Sequence, residues 1–227
     1  MYNFKQFILE LDLVFGKIDY LNLLPFHVFM KRFTRSSQQS MSMHYRRGVP
    51  AKINEKFLSR RVDAAFISSI HAQKHKHVNL GIIAKKEVLS VLVVPNVKNE
   101  KDIESATSNV LAQILDIKGK ILIGDKALKY YLQGKPNIDL AAQWNARHKL
   151  PFVFALLCYH KDRQLYKNIE RQFSKRKIKI PQYLLNEASL RTEVSKKDIL
   201  NYLSYISYDL DNKAKKGLSL FYKSVKK

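Results

Sequence analysis

Cysteine is nearly absent from this chain: Cys158 is the single one in 227 residues. That excludes an internal disulfide and any cysteine-based metal cluster. Cys158 sits in the apolar run Pro151–Tyr159 and reads as a small buried hydrophobe. Glycine is scarce too. The 7 glycines are scattered, so no glycine-rich loop is available to cradle a phosphate, and no nucleotide cofactor is expected. No apolar run approaches the ~20 residues of a membrane-spanning helix, so no membrane association is expected. Near the amino terminus Glu10 and Asp12 interrupt the apolar core that a secretory signal needs, which gives a cytoplasmic expectation. Acidic residues are few, 19 against 41 Lys and Arg, for a net charge of +22. The excess is +9 over residues 1–91, +3 over 92–157 and +10 over 158–227, so no one helix or arm holds it. A nucleic-acid binder usually concentrates its charge on one stripe. The spread fits a small anionic ligand and no nucleic-acid partner, although a generally basic surface without bearing on function accounts for it equally well.

The stretch from Gly16 to Phe26 organises what is present. Val14, Phe15, Ile18 and Tyr20 read as a short buried strand, Asn22 falls where it stops, and Pro25 suits the first turn of a helix over 23–33. A polar loop, Thr34–Ser40, leads to a strand at Met41–Tyr45, and Gly48-Val49-Pro50 opens an amphipathic helix, Ala51–Arg60. Val62–Ile67 is a buried strand running into Ser68-Ser69, and Leu80–Ala84 and Val88–Val94 are further apolar stretches. Ser105–Asn109 precedes a helix over Val110–Ile117, and Ile121–Ile123 is a strand ending in Gly124-Asp125 before a helix, Lys126–Gln133. Ile138–Trp144 and Leu150–Leu157 complete the middle, and the chain from about Lys161 reads as helical, with Tyr202, Tyr205 and Tyr208 as a packing stripe. This strand–helix alternation predicts an α/β fold with largely parallel sheets. Two lobes are expected, residues 1–91 plus 158–227 and residues 92–157, joined by two crossings.

Three strand ends carry polar groups of one kind: Asn22, Ser68-Ser69 and Gly124-Asp125. Each follows an apolar strand and precedes a helix, which is where open α/β sheets bind ligands. Ser105, Thr107 and Ser108 stand at a helix start suited to a carboxylate. Taken singly, each is an ordinary turn or N-cap; together they outline a cleft for a small anion. His71, His75 and His77 match no strong metal-ligand spacing, and Lys74 and Lys76 between them oppose a cation, so a solvated helix face is the better reading and no metal is expected. His148 either reaches the cleft rim or holds a turn, and Trp144 reads as core.

The blocks Tyr20-Leu21-Asn22, Asp63–Ser69, Leu122–Leu128, Asp139-Leu140 with Trp144, and Leu150–Ala155, in this order, resemble the chorismate dehydratases of the futalosine route to menaquinone. The resemblance covers about residues 14–160. It implies a two-lobed fold like the type II periplasmic binding proteins, used as an enzyme, a carbon–oxygen lyase that turns chorismate into 3-[(1-carboxyvinyl)oxy]benzoate and water without a cofactor. Carried over by position, Asn22 and Ser69 act at the substrate ring; Ser105, Thr107 and Ser108 bind a carboxylate, and Tyr20, Ser68, Gly124 and Asp125 complete the substrate contacts. Where the family has Thr-Gly before Leu-Pro-Phe, this chain has His148-Lys149. The competing readings are a related enzyme of the same pathway and fold, and a non-catalytic solute-binding protein for a small carboxylate. Against the latter stands the expected cytoplasmic location.

Overall fold

The structure is a computed structural model that describes residues 13–36 and 43–226. Glu10 and Asp12, residues 37–40 of the expected Thr34–Ser40 loop and residues 41–42 of the expected Met41–Tyr45 strand lie outside the described residues, while residues 34–36 of that loop are instead the last of α1. The chain opens with β1 (Leu13–Lys17), a 3-10 turn at Leu21–Leu23, α1 (Leu24–Ser36), β2 (Met43–Arg47), α2 (Pro50–Leu58), β3 (Ala64–Ser68) and a one-turn α3 (Ser69–Ala72). It continues through β4 (His77–Ala84), β5 (Val91–Val94), α4 (Ala106–Leu115), β6 (Lys120–Ile123), α5 (Gly124–Leu132), β7 (Ile138–Asp139) and α6 (Leu140–His148). The last part is β8 (Phe152–Tyr159), α7 (Arg163–Ser174), α8 (Gln182–Thr192), α9 (Lys196–Ser204), β9 (Ile206–Asp209) and α10 (Asn212–Val225). Among the described residues no helix is long and apolar enough to cross a membrane.

Two sheets carry the fold. The larger has the order β2-β1-β3-β8-β4-β9 and the smaller β6-β5-β7. The expectation of largely parallel sheets is corrected here: between the strands given above, the pairings of β1 with β2 and β3 are parallel and the others antiparallel, with one isolated parallel bridge between Glu100 and Lys120. The cause is the double crossing. β4 leads from the larger sheet towards β5 in the smaller one, and β8 returns, so it runs against both β3 and β4 between which it inserts. β8 pairs along its length with β3 and β4, so residues 152–159 belong to the larger sheet.

The inner strands β3 and β8 of the larger sheet are buried on both faces, whereas the edge strand β2 is largely exposed. Phe26 anchors the packing of α1, its ring edge-on to Phe66 at 4.9 Å and to Phe173 at 5.3 Å. Gly16 permits α2 to lie close against β1, because a Cβ there would stand 2.8 Å from Ile53 and 2.9 Å from Ala65. The carboxyl-terminal part is not wholly helical. Tyr208 lies in β9, so the expected helical tyrosine stripe is broken after Tyr202 and Tyr205. Ring packing against Phe173 and a hydrogen bond to the Asn22 carbonyl explain why Tyr208 sits in a strand at the edge of the larger sheet. Cys158 is fully buried, and burial pushes its thiol up. Trp144 is likewise fully buried, packed against Phe152 and capped by the His148 ring at 4.2 Å, so His148 holds the end of α6. The three histidines His71, His75 and His77 do not share one helix face: His71 is in α3, His75 packs on Phe57, and His77 begins β4.

Candidate active site

Between the facing ends of the two sheets lies a narrow cleft of about 70 Å³. The chain places polar groups there at the points where strands give way to helices. β1 ends ahead of Tyr20, and the 3-10 turn holds Asn22. β3 ends in Ser68, β6 runs into Gly124, and Ser105 caps α4, accepting a hydrogen bond from the Ser108 N–H. The polar lining is Tyr20, Asn22, Ser68, Ser90, Ser105 and Ser108; the rest is apolar, with Ile18, Phe66, Val91, Ile123 and Phe154 among it. Among the described residues, none in the lining is an Asp, Glu, His, Lys or Arg. The electrostatic bias comes instead from helix ends: Pro50, Ser105 and Gly124, at the amino termini of α2, α4 and α5, all border the cleft. Helix amino termini present unpaired N–H groups and partial positive charge, which favours an anion without a formal cation.

Each polar group has a defined state. The Asn22 carbonyl accepts from Tyr208 at 2.7 Å, while its side-chain amide makes no hydrogen bond within the described residues. The Ser105 hydroxyl meets that of Ser108 at 2.7 Å. Ser90 pairs with the buried Tyr202 hydroxyl at 2.8 Å. Asn54, on α2, bonds Ser68 twice, from Nδ2 to Oγ at 2.8 Å and from the Ser68 N–H to Oδ1 at 3.1 Å.

Two links close the cleft on the Tyr20 side. The Tyr20 hydroxyl donates to Glu104, which Lys126 and Asp102 neighbour through the Lys126–Asp102 pair at 2.8 Å. Burial and then this contact push the Tyr20 phenol above its ordinary value. The Leu21 N–H donates to Asp125 Oδ1 at 2.9 Å, and Arg191 holds Oδ2 at 2.8 Å. Burial raises the Asp125 carboxyl, against the Leu21 N–H and the guanidinium. Gly124 makes the approach possible: at φ +66° it lies under the Tyr20 ring, where a Cβ would stand 2.6 Å from the nearest ring carbon. A second hollow adjoins through Tyr20, but there Lys17 is paired to Asp19 at 2.8 Å and His27 is kept neutral, burial lowering it to about 4.

A sequence model described as menaquinone biosynthesis matches residues 13–120 and 108–227. The chain belongs to that menaquinone biosynthesis family. A relative named chorismate dehydratase, from Campylobacter jejuni subsp. jejuni serotype O:23/36 (strain 81-176), is 45% identical over 218 residues, which is 94% of this chain and 98% of the relative. Among solved structures, protein AF1704 from Archaeoglobus fulgidus superposes with a TM-score of 0.69 at 11% identity, covering 95% of this chain and 97% of that one. A Candida albicans protein, the CA3427 gene product, described as having the generic periplasmic binding protein fold, gives 0.53 at 11% identity, over 93% and 90% of the two chains. This member of the family therefore has the two-lobed binding-protein architecture that its motif blocks implied.

The site residues read from the sequence divide in the structure of this family member. Tyr20, Asn22, Ser68, Ser105, Ser108 and Gly124 line the cleft. Ser69 does not: it is fully buried and its hydroxyl donates to the Val153 carbonyl at 2.6 Å. Successive residues at the end of β3 face opposite ways, so only one of the two serines reaches the cleft. Thr107 is also turned away, its Oγ1 accepting from the Ile70 N–H at 3.2 Å. Asp125 is a strut between the Leu21 backbone and Arg191 and does not line the cleft. Ser90, Phe154 and Asn54 were not found from the sequence. Phe154 lies inside the Leu150–Ala155 block, and the signal that could have found Asn54 is its place between Ile53 and Phe57 on the apolar side of the helix.

Proposed function

We propose that this protein is a hydro-lyase that dehydrates chorismate to 3-[(1-carboxyvinyl)oxy]benzoate. The observation that carries the reading is the near full-length, 45% identity to a chorismate dehydratase, and the cleft suits the reaction. Chorismate is a small dianion; the amino termini of α4 and α5, with the Ser105 and Ser108 hydroxyls, give its carboxylates a seat. The apolar walls exclude water, which strengthens the remaining polar contacts. Loss of the ring hydroxyl and an adjacent ring proton makes the ring aromatic, so the reaction runs downhill and needs neither redox partner nor energy source. Among the described residues the lining offers no carboxylate, imidazole or amine to take the proton. The acceptor is then the substrate's own enolpyruvyl carboxylate, held in place by the cleft, and catalysis rests on orientation and preorganised dipoles. In this reading Asn22 and Ser68 face the ring, with Ser68 taking the place that sequence reasoning gave to Ser69. We also assign the two lobes to the two sheets, with the chain passing between them at residues 85–90 and at Leu150-Pro151.

The test is to incubate the purified protein with chorismate and identify the product by chromatography and mass. The expected product is aromatic and one water lighter than the substrate. Asn22→Ala should lower kcat by about 10²-fold, the cost of one preorganised polar contact. Tight chorismate binding without turnover would favour a solute-binding protein, which the fold neighbours make the second reading.

A further inference from the structure

We infer that Asn54 is a positioning residue that fixes Ser68 as a hydrogen-bond donor aimed into the cleft; the inference rests on the chorismate reading above. The two bonds between these residues leave one consistent assignment. The Ser68 backbone N–H can only donate, so the Asn54 atom facing it at 3.1 Å is the oxygen Oδ1. The other amide atom is therefore the Nδ2 amine, which can only donate, and it stands 2.8 Å from the Ser68 Oγ. Ser68 Oγ thus accepts from Asn54 and keeps its own proton for another acceptor. Within the described residues there is none. Ser68 precedes α3 at the position where a serine hydroxyl commonly accepts from the helix, yet it makes no such bond. Ser68 borders the cleft, and Asn54 itself is buried at 4% exposure, behind it. The free O–H therefore points to a ligand oxygen, and the site carries a donor, not an acceptor, at that corner. On chorismate such a donor fits the departing ring hydroxyl or a carboxylate oxygen, and it would repel a ligand that presents an N–H or O–H proton there.

Asn54→Asp tests this with almost no change of shape. The carboxylate still accepts from the Ser68 N–H, but its second oxygen can only accept, so the Ser68 hydroxyl turns about and donates to residue 54. The cleft loses its donor. The expected result is a fall in kcat of roughly tenfold or more, similar to that of Ser68→Ala, and no further fall when Asn54→Asp is added to Ser68→Ala. A structural role for Asn54 would instead lower the activity of the Ser68→Ala protein again. Full activity in Asn54→Asp alongside a loss in Ser68→Ala, losses that multiply in the double variant, or full activity in Ser68→Ala would each overturn the proposal.

Nuclear magnetic resonance of the unliganded protein gives an arm that needs neither turnover nor a folded Asp variant. The Asn54 side-chain NH₂ should show one proton protected from exchange in the wild type, and that protection should be lost in Ser68→Ala. An unprotected NH₂ in the wild type would overturn the assignment. If the wild-type protein does not turn over chorismate but the protection pattern holds, the chorismate reading fails and the Asn54–Ser68 arrangement stands.

Discussion

Lys149 shows how one residue can depart from a family pattern without disturbing the turn it occupies. It caps α6 in the left-handed region at φ +56°, its N–H bonded to the Asn145 carbonyl at 2.8 Å, and its side chain is exposed. The family pattern has glycine here, and glycine takes this conformation without a Cβ penalty. Lys149→Gly is therefore expected to stabilise the protein by about 1 kcal/mol, a rise in Tm of roughly 2–4 °C for a chain of this size. Scanning calorimetry of the two proteins checks it; an unchanged or lower Tm would contradict the account of this turn. At the same scale the sequence was only partly legible. It placed Asn22, Ser105, Ser108 and Gly124 at the cleft because a polar residue at a strand-to-helix junction has few other places to point. It put Ser69 at the ring and Ser68 among the further contacts, whereas Ser68 is the one that lines the cleft. Adjacent residues point to opposite sides, and which of them reaches the cleft depends on how β3 ends and on the Val153 carbonyl 84 residues away that holds Ser69.

The elements are held in place by a few carboxylates whose work lies outside the chemistry. Asp139 is the clearest. Its Oδ2 accepts from the Val88 and Leu89 N–H groups at 2.9 and 2.7 Å, and its Oδ1 caps α6 through the Ala142 N–H at 3.0 Å. It therefore joins α6 to the outward crossing, where Leu89 is held at φ +61°, an unusual angle for a bulky residue. Burial raises this carboxyl, and the backbone N–H groups oppose the rise. Asn in its place presents an amine to at least one of those donors. Asp139→Asn is thus expected to cost about 2–3 kcal/mol of stability, read as a lower urea midpoint at pH 7; a midpoint equal to the wild type would show that the crossing does not depend on this cap. Most elements could be read from apolar periodicity. The start of α4 was set late because Ser105–Asn109 is polar, although it is already the first turn of the helix, with Thr107 and Ser108 buried beneath it. Strand direction and β9 escaped for a different reason. Antiparallel insertion of β8 and the edge position of β9 follow from long-range pairing, which leaves no local pattern.

Across the whole molecule, a strongly basic protein places no Lys, Arg or His among the described residues that line the cleft. The scattered charge of the sequence therefore said little about the site, whereas the order of the motif blocks said much about the fold. What no reading of the chain supplied was the pair of contacts that fasten the cleft on the Tyr20 side. The Tyr20–Glu104 and Leu21–Asp125–Arg191 links join residues 66 to 104 positions apart and exist only once both lobes are in place. Among the described residues of the lining, Tyr20 is the one titratable side chain, and its phenol is pushed above an ordinary value of 10, so it stays protonated through neutral and mildly alkaline pH. The central claim is that chorismate loses water here by positioning and fixed dipoles, with no protein acid or base. The kcat for chorismate, measured from about pH 6 to pH 9, tests it most directly. The account predicts a flat profile with the enolpyruvyl benzoate as product throughout; a bell-shaped or stepped profile with an apparent pKa inside that range, or no product at any pH, would contradict it.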